Sequence, residues 1–122
     1  MNEKPSILIV DDVAVNVTLV KCILSRLPYT LFTANSGQDA LNIIAKEKID
    51  LVLLDIMMPG MNGYEVLSNI RSQESTKDLP VVMLSALNMH GDVQKAMDMG
   101  ANGFISKPVI SPKLIEMVKK FV

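Results

Sequence analysis

The sequence has few of the residues that form disulfides or soft metal sites. Its 122 residues include one cysteine, Cys22, and one histidine, His90. A single cysteine forms no internal disulfide, so a reducing cytoplasm is the simplest compartment. Without clustered histidine or cysteine, a structural zinc site is disfavoured. We expect Cys22 to pack inside the protein and His90 to be a surface loop residue rather than a general base.

The sequence also lacks an excess charge and any long hydrophobic run. Its 12 basic and 13 acidic residues give a formal charge of -1, which provides no bulk attraction to nucleic acid or anionic membrane. The apolar run at residues 7–10 is too short for a signal peptide, and no longer run follows. We expect no direct nucleic-acid binding and no membrane insertion, in either a stand-alone protein or one module of a larger protein.

Short apolar segments alternate with helical patterns along the whole chain. The predicted strands are Ser6–Val10, Thr30–Ala34, Leu51–Asp55, Pro80–Ser85 and Gly103–Ser106. The predicted helices run from Val13 to Leu27, Ser36 to Lys48, Gly63 to Arg71, Asn88 to Met99 and Ser111 to Phe121. Pro28 is expected to stop the first helix, Ser36 and Ser111 to cap the second and fifth, and Gly100 to close the fourth.

This alternation predicts an α/β fold with a doubly wound parallel sheet of five (βα) units. The length and the 49% apolar content suit one domain spanning residues 1–122. We favour the strand order 2-1-3-4-5 over a dinucleotide-binding half-fold, because no Gly-x-Gly-x-x-Gly pattern follows the first strand.

Acidic residues end two strands that are neighbours in this order. Asp11 and Asp12 follow the first strand, and Asp55 ends the third. Two carboxylates about 4 Å apart repel by roughly 4 kcal/mol at an effective dielectric near 20. A hard divalent cation relieves this repulsion, and oxygen ligands favour Mg²⁺ or Mn²⁺.

Two further polar residues end strands at the same edge of the sheet. Ser85 ends the fourth strand and Lys107 follows the fifth. A hydroxyl and an ammonium group there would hold the oxygens of a phosphoryl group while Asp55 supplies the nucleophilic oxygen. Taken singly, each residue has a plainer explanation as a helix cap, an ordinary strand end or a solvated lysine. Their coincidence at one edge favours a shared site.

These motifs together resemble the response-regulator receiver domain of two-component signalling, which has the flavodoxin/CheY-like fold. The similarity rests on Asp11-Asp12, on Asp55 heading Asp-Ile-Met-Met-Pro-Gly-Met-Asn-Gly, on Ser85-Ala86 and on Lys107-Pro108, and it spans nearly all of the chain. The resemblance implies that Asp55 accepts a phosphoryl group from a phosphohistidine of a sensor histidine kinase or phosphotransfer domain.

The resemblance also implies roles for the surrounding residues. Asp11, Asp12, Asp55 and the backbone carbonyl of Met57 would bind Mg²⁺. Lys107 would contact the phosphoryl group, and its peptide bond to Pro108 is expected to be cis.

The same resemblance assigns a conformational switch to Ser85 and Phe104. Ser85 would move toward the phosphoryl group and Phe104 would rotate into the vacated space, although Phe104 as a plain core aromatic is the competing interpretation. The change would remodel the surface of the fourth helix, fifth strand and fifth helix. That surface would control an output domain or partner, and dimerisation through it is a further expectation.

Three other residues near the site carry expectations of their own. Met57 and Leu87 cannot orient a water molecule, which predicts a comparatively long-lived phosphoaspartate. Asn16 lies early on the first helix, where it either helps shape the rim of the site or a kinase-docking surface, or is simply exposed to solvent.

Two other functions remain open at this point. A phosphohydrolase of the haloacid-dehalogenase type resembles Asp-x-Asp, whereas Met57 occupies the third position here. A binding domain that has lost phosphorylation is the other alternative. The leading hypothesis is a regulatory phospho-acceptor that assists only its own phosphorylation and dephosphorylation.

Overall fold

Five strand–helix units follow one another in the computed structural model, which describes residues 4–85, 90–107 and 109–122. The strands are β1 (Ser6–Val10), β2 (Thr30–Ala34), β3 (Leu51–Asp55), β4 (Val81–Ser85) and β5 (Gly103–Ser106). The helices are α1 (Ala14–Leu24), α2 (Gly37–Lys46), α3 (Gly63–Ser72), α4 (His90–Asp98) and α5 (Ser111–Lys119).

The strands form one parallel sheet in the order β2-β1-β3-β4-β5, which confirms the predicted fold. Val10 pairs with Leu54, and Asp55 pairs with Leu84. The register therefore aligns the carboxyl ends of the three central strands, and any side chains that follow these ends meet at one edge of the sheet.

Helices cover both faces of the sheet because successive strand residues point to opposite sides. In β1, Ile7 and Ile9 pack with residues of α1 and α5, whereas Leu8 and Val10 pack with residues of α2, α3 and α4. All five residues of β3 are buried, as expected for a central strand covered on both faces.

Most predicted ends are close to the observed ones. The Ser36 hydroxyl accepts a hydrogen bond from the Asp39 N–H at 3.1 Å and caps α2, as predicted. Gly100 follows α4 with φ 99°, the left-handed conformation that its place after the helix predicts. Other ends differ by one to three residues: α1 ends at Leu24 rather than Leu27, α2 at Lys46 rather than Lys48 and α5 at Lys119 rather than Phe121, and β4 begins at Val81 rather than Pro80.

Two residue predictions are wrong. Cys22 is exposed, because the buried side of α1 is formed by Val20 and Leu24, and a residue between them on the helix faces outward. Ser111 is the first residue of α5 rather than its cap; the capping position is Ile110, which has no side-chain hydrogen bond to offer.

Several predictions fall outside what the structure describes. They are the cis bond to Pro108, the place of Leu87 and the surroundings of the His90 side chain. Among the described helices, none combines the length and the hydrophobicity that a membrane crossing requires.

Candidate functional site

Three carboxylates meet at the carboxyl edge of the sheet. Asp11 and Asp12 follow β1, and Asp55 is the last residue of β3. One oxygen from each lies within 4.8 Å of the others. Asp11 and Asp55 are buried, whereas Asp12 is exposed. The edge therefore has a wet side, formed by Asp12, from which an ion or a reactant can enter.

Lys107 bridges the two buried acids. Its Nζ donates a hydrogen bond to Asp11 Oδ2 at 2.9 Å and to Asp55 Oδ1 at 3.0 Å. The backbone N–H of Lys107 donates to the Ser85 carbonyl at 2.8 Å, which fixes the end of β5 against the end of β4. The ammonium group is thus positioned by the sheet itself, and charge-assisted bonds of this kind are short and strong.

The charges of this cluster oppose one another. Burial is the largest influence on Asp55 and raises its pKa above the ordinary value of 3.8, with the charge of Asp11 adding to the increase. Hydrogen bonds from Lys107 and from the backbone N–H of Met57 act in the other direction without cancelling it. Burial would lower the pKa of Lys107, but the hydrogen bonds and charges of both acids raise it overall, so Lys107 stays protonated.

The loop after β3 holds Asp55 through tight backbone packing. The Ile56 N–H donates to the Leu84 carbonyl at 3.0 Å, and the Gly63 N–H donates to the Ile56 carbonyl at 2.9 Å. A Cβ at Gly63 would lie 2.4 Å from the Asp55 carbonyl oxygen. Only glycine allows this approach, so the start of α3 rests directly on the backbone of Asp55.

The two residues predicted to switch lie on the same side of the sheet. Phe104 is half-buried and packs against the cluster on the α2, α3 and α4 side. Ser85 is fully buried and alternates with Met83, which belongs to that cluster. This arrangement is compatible with the predicted exchange of positions, whose occurrence stays a prediction.

The donor set suits a hard divalent cation. Three carboxylate oxygens converge and one of the acids is open to solvent, which matches the preference of Mg²⁺ for a few carboxylates and several waters. Of the other predicted site residues, Met57 is 60% exposed and Asn16 is half-buried. The role of the Met57 carbonyl as a ligand stays a prediction.

Sequence reasoning missed several contacts, some next to the site and some at the opposite edge of the sheet. Asn62 and Glu65 form a reciprocal capping box at the start of α3, which the Asn-x-x-Glu spacing signals. The Lys95 ammonium lies over the ring of Tyr64, and Arg71 spans two loops. These last contacts join residues distant in sequence, so no local pattern signals them.

Comparison with known proteins identifies the family. A family model described as "Response regulator receiver domain" matches residues 7–119. The chain belongs to this family. It therefore shares the regulatory signalling role of receiver domains.

Relatives of this receiver domain include both short and long proteins. It is 37% identical over 113 residues to the response regulator PleD of Caulobacter vibrioides, covering 93% of this chain and 25% of PleD. It is 31% identical over 117 residues to the polar-differentiation response regulator DivK of Brucella ovis, covering 96% of this chain and 95% of DivK. The receiver domain thus spans about a quarter of one relative and nearly all of the other.

A solved structure has the same fold. The chemotaxis protein CheY4 of Vibrio cholerae superimposes on this receiver domain with a TM-score of 0.92 at 28% sequence identity. The match covers 98% of this chain and 100% of CheY4.

Proposed function

We propose that this receiver domain is controlled by transfer of a phosphoryl group from a phosphohistidine to Asp55. The donor is a sensor histidine kinase or a phosphotransfer domain, and residues 1–122 act as one receiver unit. The observation that supports the proposal most is the ion cluster itself. A protonated lysine bridges Asp11 and Asp55, and a third acid lies beside them at the open edge of the sheet.

The chemistry follows from the nucleophile and the cation that faces it. One oxygen of the Asp55 carboxylate attacks phosphorus, an O–P bond forms, and the P–N bond to the donor histidine breaks with its electron pair left on nitrogen. Lys107 is 3.0 Å from Asp55 and is the cation that would contact the transferred oxygens. Ser85 would donate its hydroxyl to the same group. Hydrolysis of the phosphoaspartate then regenerates the Asp55 carboxylate and releases inorganic phosphate.

A divalent cation belongs to the proposal because the acids alone repel one another. Asp11, Asp12 and Asp55 would hold Mg²⁺, or Mn²⁺ in its place, together with the Met57 carbonyl. When bound, the ion would supply positive charge to the phosphoryl oxygens. The raised pKa of Asp55 supports this assignment, since the acids and their burial outweigh the single ammonium group.

An apolar rim around Asp55 supports a protein as the donor. Val13, Met57 and Ile110 follow three different strands at this edge and are 46%, 60% and 53% exposed. A donor histidine must approach Asp55 to react, so the donor domain necessarily covers this rim. Exposed apolar side chains around a polar centre suit such a transient interface.

The proposed output is a change in the surface formed by α4, β5 and α5. Ser85 and Phe104 would carry the change from the phosphoryl group to this surface, which would then control an output domain or partner or form a homodimer. A coupling free energy of about 1 to 3 kcal/mol is typical of such switches. A cytoplasmic location completes the proposal, since the single cysteine needs no oxidising compartment.

Incubation with acetyl phosphate and Mg²⁺, followed by intact mass measurement, tests this function. We expect the mass to increase by one phosphate. The increase should be absent when EDTA is added before the reaction, and it should be absent in Asp55→Ala. Asp98→Ala, which removes an exposed acid on α4, is the matched control and should be labelled like the wild type. Turnover of external phosphate esters without a stable label would indicate a phosphohydrolase, and an unchanged mass would indicate a binding domain. Either result would overturn the proposal.

A further inference from the structure

A cation–π contact joins the helix that follows the acceptor loop to α4. The Nζ of Lys95 lies 4.3 Å from the centroid of the Tyr64 ring. Tyr64 is the second residue of α3, and Lys95 is on α4. The contact therefore links two elements that are separated by β4 in the chain.

Tyr64 is rigidly connected to Asp55. Gly63 precedes it and packs so closely on Asp55 that an added Cβ would lie 2.4 Å from the Asp55 carbonyl oxygen. The first turn of α3 is stiffened by the capping box, in which the Glu65 N–H donates to Asn62 at 3.0 Å and the Asn62 N–H donates to Glu65 at 3.1 Å. These contacts couple the Asp55 backbone to the first turn of α3, which carries Tyr64.

On the other side of the contact, the described part of α4 has few buried side chains. Among the α4 side chains that the structure describes, residues 93–98, only Ala96 is buried. Lys95 is next to this anchor and reaches across to α3. An exposed cation–π contact is a modest interaction, but it is substantial where the described residues 93–98 bury a single side chain.

We propose that the Tyr64–Lys95 contact transmits the state of Asp55 to α4, as a second link beside the Ser85–Phe104 pair. Both residues are positioning residues, since neither touches the reacting atoms. This inference rests on the proposed function, because it needs a phosphoryl group or its analogue at Asp55. It assigns to the acceptor loop a direct mechanical connection to one edge of the output surface.

Hydrogen exchange of the α4 amides, residues 93–98, measures the link. Exchange rates are compared with and without Mg²⁺ and beryllofluoride, an analogue of the phosphoryl group. The variants are Lys95→Met and Tyr64→Leu, each alone and together, and Tyr64→Phe, which keeps an aromatic face. Gln94→Ala is the matched control, because it breaks an exposed hydrogen bond to Asp98 within α4 and leaves the contact with α3 intact.

We expect beryllofluoride to change α4 exchange in the wild type, in Tyr64→Phe and in Gln94→Ala. In Lys95→Met and Tyr64→Leu this change should be smaller by roughly twofold to fivefold, the range of an exposed cation–π contact. In the double variant the change of α4 exchange should be reduced no further than in either single variant, because each of the three variants loses the same interaction.

Two outcomes would overturn the inference in different ways. If the wild type responds and the two contact variants respond equally, or if their α4 exchange shifts by the same factor with and without beryllofluoride, the contact is merely structural. If beryllofluoride and Mg²⁺ leave α4 exchange unchanged in the wild type, the proposed change of the output surface at α4 is wrong and the inference falls with it. Phosphorylation of Asp55 itself is decided separately by the acetyl phosphate experiment.

Discussion

At the scale of single residues, the site balances two buried carboxylates against one ammonium group. Lys107 satisfies Asp11 and Asp55 simultaneously, yet burial and like charge still raise the pKa of Asp55. A carboxylate in this state is held at a cost in stability, which a bound cation would relieve. This cost in stability is expected if the role of Asp55 is chemical rather than structural.

Asp55→Asn should therefore stabilise the metal-free protein. We expect its free energy of unfolding at pH 7 in EDTA to rise by about 1 kcal/mol, the usual size of a single-residue effect. The reason is that an uncharged amide of similar shape removes the repulsion and the desolvation penalty. Chemical denaturation measures the change, with Asp98→Asn on the exposed surface of α4 as the matched control, which should change little.

The stability difference between Asp55→Asn and the wild type should depend on pH. Because the folded-state pKa of Asp55 is raised, its protonation favours the folded state below about the ordinary value of 3.8. That contribution is lost as the pH rises through the folded-state pKa. The advantage of Asp55→Asn should therefore be small in acid and grow toward neutral pH. A variant less stable than the wild type at pH 7 would contradict the account.

At the scale of elements, the site depends on how α3 meets β3. An added Cβ at Gly63 would lie 2.4 Å from the Asp55 carbonyl oxygen and 2.7 Å from the Ile56 Cα, and both atoms belong to the backbone. Gly60 is in the same loop with φ 75°, but a Cβ there would meet nothing within 4 Å. An alanine at Gly63 therefore tests the close packing on the Asp55 backbone, whereas an alanine at Gly60 tests only the left-handed backbone conformation.

Gly63→Ala should displace Asp55 and slow its phosphorylation by acetyl phosphate roughly tenfold or more, since small displacements of a reacting group are costly. Gly60→Ala should mainly lower stability, by roughly 1 to 2 kcal/mol for its left-handed conformation. Initial labelling rates from intact mass, with denaturation curves for both variants, measure these effects. Equal labelling rates in the two variants would show that the α3 contact does not position Asp55.

The guanidinium group of Arg71 fixes the carboxyl end of α3. Arg71 donates to the Gly100 carbonyl at 2.9 Å, to the Leu79 carbonyl at 2.7 Å and to Asn102 Oδ1 at 2.7 Å. The guanidinium group thereby ties α3 to the start of β4 and to the turn after α4. Its planar fork suits several acceptors at once.

Arg71→Met should lower the free energy of unfolding by about 2 kcal/mol, because two backbone carbonyls and one amide lose their donor. The exposed Arg26→Met is the matched control and should change stability by less than about 0.5 kcal/mol. Equal stability of the two variants in urea denaturation would show that the hydrogen bonds of Arg71 do not stabilise the fold. Arg71→Lys should recover only part of the loss, because a single ammonium group cannot match the fork.

At the scale of the whole molecule, the fold and the centre of the site follow from local patterns. The third strand is apolar from Leu51 to Leu54, so it is recognisable as buried on both faces, and its last residue, Asp55, reaches the sheet edge. The order of the strands then brings Asp11 and Asp55 together. Periodicity, proline and glycine predict nearly all the remaining ends to within a few residues.

What the sequence does not reveal depends on side chains that meet across elements. The α1 pattern contains apolar residues on all sides, so Cys22 was wrongly assigned to the interior. Ser111 has the composition of a cap, but the helix begins one residue earlier than that role requires. The contacts of Arg71 with Gly100 and Lys95 with Tyr64 arise only when the helices are packed on the sheet.

The most direct test of the central claim is to locate the phosphoryl group on the chain. After reaction with acetyl phosphate and Mg²⁺, borohydride reduces an acyl phosphate of aspartate to homoserine, which peptide mass spectrometry places at one residue. We expect homoserine at residue 55 in the wild type and no conversion in a sample treated with EDTA beforehand. Homoserine at residue 11 or 12 instead, or no conversion anywhere, would contradict the claim that Asp55 is the acceptor.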